Sequence, residues 1–142
     1  MSEMSESFVQ FKNVQKSYDG EIVVVKDFNL DIAKGEFLTM LGPSGSGKTT
    51  CLLMLAGFET ATDGNILLDG MPINHVAPHK RNIGMVFQNY ALFPHMTVQE
   101  NLVFPLQVRK IPKSDAQQKV QTALDMVQMG EFGSRRPGQL SG

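Results

Sequence analysis

The sequence predicts an α/β protein organised around a phosphate-binding loop, on three observations. Short apolar segments with turn signals between them fill the first half. The glycine-rich stretch GPSGSGKT at residues 42–49 separates an apolar run from an apolar helix. Helical periodicity then takes over in the second half. A chain of 142 residues is long enough for one domain, which normally buries about 70% of its unfolded surface. With 42% apolar and 19% charged residues, the composition is globular rather than disordered. The net charge of −1 gives no electrostatic reason to expect nucleic acid or an anionic membrane as partner. Lone Cys51 cannot form an internal disulfide, which suits a reducing compartment. The polar opening MSEMSES has no apolar core of a signal peptide. The longest apolar run, CLLMLAG, is far short of the ~20 residues that cross a bilayer. A cytoplasmic location is expected.

Taken in order, FVQFKNVQKSY and EIVVVKDFNLDI flank the turn signal around Asp19-Gly20 and are expected to pair as an antiparallel hairpin. Within the second segment Phe28, Leu30 and Ile32 alternate with Asp27, Asn29 and Asp31, the pattern of a strand with one wet face. After the KGE turn, FLTML is a solid apolar run of the kind covered on both faces. TTCLLMLAG reads as a short helix closed by Gly57. Asp63-Gly64 and Asp69-Gly70 bracket a strand at NILL, and NIGMVFQ reads as another. Thr97 and Glu100 form a capping box that opens a helix at Val98, and Ser114 with Gln117 repeats the signal. Behind it Ala116, Val120, Ala123, Leu124 and Val127 recur at helical spacing up to Gly130, a core-packing face.

The stretch at residues 42–49 satisfies G-x-x-x-x-G-K-[ST], a match that chance produces in about one such chain in a few hundred. Each residue type there has a chemical reason. Gly42, Gly45 and Gly47 let the backbone turn tightly around Pro43, so that the amides of Ser44 through Ser46 and on to Thr50 converge on phosphate oxygens. The helix that follows aims its positive end at the same anion. Lys48 brings a compact positive charge to the β- and γ-phosphates, and the Thr49 hydroxyl is placed for Mg²⁺. Read as plain structure, the stretch is a glycine-rich strand–helix turn with a solvated lysine. The flanking apolar run and apolar helix favour a nucleoside-triphosphate site.

Downstream stand MVFQNYALFPHMTVQENL and a closing QLSG. With the phosphate loop, these motifs resemble, in order, those of the ATP-binding subunits of ABC transporters, and the likeness runs from about Phe8 to Gly142. The wording of RNIGMVFQNYALFPHMTVQENLVFPL is most similar to polyamine importers, with ferric-iron and maltose-type importers near. The resemblance implies a P-loop NTPase of ABC ATPase type. Residues 1–94 would then hold an antiparallel β subdomain and the P-loop core, and residues 95–142 a helical subdomain that ends inside the signature motif. It places Tyr18 where the family stacks adenine; as plain structure Tyr18 is a hairpin tyrosine packed on the sheet. Gln88 matches the Q-loop glutamine that reaches Mg²⁺ and the attacking water; without the family it is a polar residue ending a strand. Ser141 and Gly142 match signature residues that close over ATP bound in the opposite subunit of a homodimer.

Residues 88–96 correspond to the surface that receives a transmembrane permease subunit, and their density of Tyr90, Leu92, Phe93 and Met96 suits a protein contact. His75, His79 and His95 lack ligand spacing and are read as surface or loop residues. The implied function is ATP-driven solute uptake, with ATP and Mg²⁺ as ligands, by a cytoplasmic subunit held at the inner face of the membrane through its permeases. The Walker B carboxylate and switch histidine of the family fall after the signature. So does the strand set that inserts beside FLTML and GMVF. The chain is therefore expected to be a fragment that binds nucleotide weakly at best and does not turn it over. Two other readings remain: a non-catalytic nucleotide-binding or subunit-docking module, and another P-loop enzyme such as a kinase. The kinase reading leaves Gln88, the aromatic loop and the terminal LSG unexplained.

Overall fold

A computed structural model describes residues 7–140. They divide into two compact units, with the boundary between Met85 and Val86. In the first unit, strands β1 (Ser7–Ser17) and β2 (Val23–Ala33) form the expected hairpin, and β3 (Asp63–Leu68) and β4 (Met71–Pro72) complete an antiparallel sheet in the order β2-β1-β3-β4. Central β1 sets the register: Phe11 lies opposite Leu30 on one side and Ile66 on the other. A bulge interrupts the hairpin between Phe11 and Val14, where Asn13 and Asp27 take φ of 50° and 45°. The short polar side chains of Asn and Asp tolerate that conformation. Here they also bond each other, Asn13 Nδ2 donating to Asp27 Oδ1 at 2.9 Å.

Helix α1 (Lys48–Ala56) packs its Cys51 and Met54 against Phe11, Val14, Val25, Ile66 and Ile73 to make the core of this unit. Its end is fixed twice. Gly57 adopts φ +90° and donates its N–H to Leu53 O at 2.9 Å, as a glycine C-cap should. The Arg81 guanidinium, only 5% exposed, donates to the carbonyls of Met54 at 2.8 Å, Leu55 at 3.0 Å and Val76 at 2.8 Å.

Two expected strands are absent from the described residues. FLTML (37–41) and NIGMVFQ (82–88) have no regular secondary structure, because no neighbouring strand offers them a hydrogen-bonded ladder. Nor is FLTML covered on both faces. Met40 packs against the core, whereas Phe37 and Leu41 are 93% and 90% exposed.

The second unit holds α2 (Val98–Val108) and α3 (Lys113–Met126), which pack on each other. The Thr97–Glu100 capping box forms in full: Glu100 N–H donates to Thr97 Oγ1 at 3.1 Å, and Thr97 N–H to Glu100 Oε2 at 2.7 Å. The second expected box does not form. Helix α3 starts after Pro112, whose carbonyl accepts from Ala116 N–H at 2.9 Å, so Ser114 already lies inside the first turn. Proline, with its fixed φ, starts the helix two residues earlier than a Ser114 cap would. Ala116, Val120 and Leu124 are buried as expected, but Ala123 and Val127 are exposed. Ala123 sits roughly 60° off the centre of that stripe, and the helix stops short of Gly130 with Val127 as its cap.

Candidate functional site

The loop at residues 43–47 leads from the extended 37–41 segment into α1. Gly47 is the helix N-cap at φ +86°, and a methyl group there would lie 3.0 Å from Val25 Cγ2 and 3.1 Å from the Val24 carbonyl oxygen. Only glycine permits this conformation and this approach to β2. No side chain caps α1 and no acidic residue lies in its first turn. Cys51 N–H is the first to be satisfied within the helix, by Gly47 O at 2.9 Å. The amides of Gly47, Lys48, Thr49 and Thr50 therefore lie ahead of any intrahelical acceptor, at the positive end of the helix. They border a cavity of about 270 Å³ lined by Val24 and by Ser44, Gly45, Ser46, Gly47, Lys48, Thr49 and Thr50. The Lys48 ammonium lies over the loop, donating to Gly42 O and Pro43 O at 2.6 Å each and to Ser46 Oγ at 3.1 Å.

This donor set fits a polyphosphate. It offers backbone N–H groups, the Lys48 ammonium and the hydroxyls of Ser46, Thr49 and Thr50, with no carboxylate to repel an anion. The cavity falls below the ~300–1,000 Å³ of pockets that enclose a drug-sized ligand, so it suits a phosphate tail and leaves a base to be held elsewhere. Tyr18 lies in the same unit. The ring is 59% exposed on the β1–β2 turn rather than packed on the sheet. That turn is held by Asp19, whose carboxylate accepts from the amides of Ile22 at 2.8 Å and Glu21 at 3.0 Å; these bonds keep its pKa below the usual carboxylate value. Burial pushes the Cys51 thiol up, so it stays protonated and packs as a small apolar group.

Gln88 falls in the second unit and is exposed there. Beyond it Tyr90 and Ala91 take φ of 65° and 52°, a conformation that costs a non-glycine residue about 1–3 kcal/mol. The loop is tied to α2 by Asn101. Its side-chain oxygen accepts from Phe93 N–H at 2.9 Å, and its amide nitrogen donates to the carbonyls of Thr97 at 2.9 Å and Phe93 at 3.1 Å. Tyr90, Leu92 and Phe93 remain exposed, with Phe93 edge-on to Phe104 at 4.9 Å. Ser141 and Gly142 lie outside the described residues. Sequence reasoning passed over Lys16, Arg81 and Asn101. Among the described residues no group of three or more His, Cys, Asp or Glu side chains is arranged to hold a metal, and no helix is long and apolar enough to cross a membrane.

A glycine loop feeding an uncapped helix start beneath a lysine is the architecture of a P-loop nucleotide-binding protein. Within that class the chain belongs to the ABC transporter family, whose model matches residues 25–142. It is 52% identical over 134 residues to the spermidine/putrescine import ATP-binding protein PotA of Aggregatibacter actinomycetemcomitans, covering 94% of this chain and 36% of that one. Against the sn-glycerol-3-phosphate import ATP-binding protein UgpC of Bordetella avium (strain 197N) the identity is 46%, covering 94% and 37%. The chain thus spans little more than a third of the length of these relatives. Among solved structures it is similar to the dimeric ATP-binding cassette MJ0796 in a post-hydrolysis state bound to ADP and Pi. That likeness has a TM-score of 0.83 at 33% identity and covers 94% of this chain and 63% of that one. The fold is accordingly part of a P-loop ATPase of the ABC type.

Proposed function

We propose that the chain is the nucleotide-binding part of an importer ATPase that takes up a small solute, with polyamines the first candidates. The observation that carries this reading is the uncapped start of α1, whose amides meet the Lys48 ammonium at a cavity lined by residues 44–50. In this reading the loop amides and Lys48 hold the phosphate tail of ATP, Thr49 and Gln88 supply oxygen ligands for Mg²⁺, and Tyr18 stacks on the base. Bound Mg²⁺ contributes charge neutralisation of the β- and γ-phosphates. Ser141 and Gly142 serve the ATP of a second subunit in a homodimer. Residues 88–96 are the permease-facing surface: an exposed aromatic loop, strained at Tyr90 and Ala91 yet stapled by Asn101, suits a partner better than solvent. Those permeases hold the parent protein at the inner face of the membrane. Polyamine cargo rests on the 52% identity with a spermidine/putrescine subunit, against 46% with a glycerol-phosphate one.

Titration calorimetry with Mg·ATP tests the site. The expected outcome is saturable binding that weakens at least about tenfold in Lys48→Ala, the loss of one charge-assisted contact, with no steady phosphate release from these 142 residues alone. Binding that ignores Lys48→Ala, or a sustained turnover that this substitution abolishes, counts against the reading.

A further inference from the structure

Lys16 is 8% exposed, and lysine is almost never buried unless something holds its charge. Here the ammonium donates to the Thr60 carbonyl at 2.8 Å and pairs with Glu59 Oε2 at 3.0 Å. It also lies over the Tyr18 ring, 4.7 Å from its centroid. Ser17, between the two, is fixed in its turn. Its N–H donates to Thr62 Oγ1 at 3.0 Å, its carbonyl accepts from the same hydroxyl at 3.2 Å, and its Oγ accepts from Gly20 N–H at 2.9 Å. The backbone below Tyr18 is thus anchored, and a clamped cation meets the ring while most of it stays open to solvent.

We propose that Lys16 is a positioning residue for the nucleobase. Held by Glu59 and Thr60, its ammonium fixes the Tyr18 ring as a platform for a stacked base. This rests on the reading above that Tyr18 receives the base. A ring held by a cation loses less freedom when a base stacks on it. Glu59 and Thr60 belong to the segment leaving the C-terminal end of α1, so the platform is tied to the helix whose first turn lines the phosphate cavity. The competing account is an ion pair that merely joins β1 to the segment after α1. It predicts no dependence on Tyr18 and no distinction between ligands with and without a base.

The test titrates the full chain with Mg·ATP and with magnesium triphosphate, as wild type, Lys16→Met, Tyr18→Ala and the double variant. Lys16→Met is expected to weaken ATP about two- to fivefold, to leave triphosphate unchanged, and to add nothing in the Tyr18→Ala background. Equal losses for both ligands, or a further loss of ATP affinity in the double variant, overturn the proposal while leaving the phosphate site intact. If neither ligand binds the wild type, the nucleotide reading itself fails and this inference goes with it. Should Lys16→Met not fold, Glu59→Gln decides, since it loosens the clamp and keeps the lysine. A loss confined to ATP supports the platform, and unchanged ATP affinity overturns it.

Discussion

Arg81 closes the far end of the helix that starts at the phosphate loop, and it does so without an acid. Its buried guanidinium satisfies the carbonyls of Met54 and Leu55, groups that a helix end otherwise leaves unpaired, and also that of Val76. Burial lowers its pKa from the ordinary arginine value, since desolvation disfavours the charged form. It still binds its proton throughout the neutral range. Arg81→Met is expected to cost about 2–3 kcal/mol, the worth of charge-assisted bonds to carbonyls then left unmet. Urea unfolding followed by circular dichroism reads that loss directly, and a change within error would remove Arg81 as the anchor of α1. Gly57 belongs to the same device, because a side-chain carbon there would come within 2.7 Å of Arg81 Nε. Gly57 was legible in the sequence and Arg81 was not, and the reason is reach. A C-cap glycine signals its role within one turn, whereas Arg81 bonds Met54, 27 positions earlier. Lys16 bonds Thr60, 44 positions later, and a single sequence carries no local mark of such a partner.

Among the elements, the first turn of α2 has a stability that follows pH. Glu100 closes the capping box, and its pKa is lowered chiefly by the bond from the Thr97 backbone N–H, with the Thr97 hydroxyl next. A carboxylate whose pKa falls on folding contributes fully above its unfolded value of about 4.3, and the contribution fades as pH drops through the lower folded value. The Thr97 and Glu100 amides are therefore expected to lose hydrogen-exchange protection below about pH 4. Glu100→Gln keeps a side-chain acceptor that does not titrate and should flatten the profile. Protection that is equally pH-dependent in Glu100→Gln would assign the effect to another group. This box was readable because both partners lie within one turn. The same logic misplaced the start of α3, where Pro112 at the boundary outweighs Ser114. Alternation correctly marked β2, whose partner β1 precedes it in a hairpin, but the apolar run at 37–41 has no partner among the described residues. Hydrophobicity reports a wish for burial and carries no information about which strand supplies the ladder.

At the scale of the molecule, apolar side chains are distributed unevenly. Met54, Ile66 and Val14 are sealed in the core of the first unit, while Phe37 and Leu41 point into solvent and Val86 is 97% exposed. Single exposed apolar residues are ordinary, but several on extended segments without a ladder mark surface that needs a cover. The backbone there has the same deficit, since residues 37–41 make no strand pairing. By contrast β1 is paired on both sides, with β2 and β3. Local opening free energies follow such differences in contact and hydrogen bonding. Hydrogen exchange by mass spectrometry on these 142 residues should therefore find amides 37–41 exchanging at least about 100-fold faster than those of central β1. A dye sensitive to apolar surface should bind at neutral pH without denaturant. Uniform protection across both segments, with no dye bound and one sharp unfolding transition, would mean that the 37–41 segment is covered in solution. The expectation that this segment lacks a hydrogen-bonded ladder would then have to be abandoned.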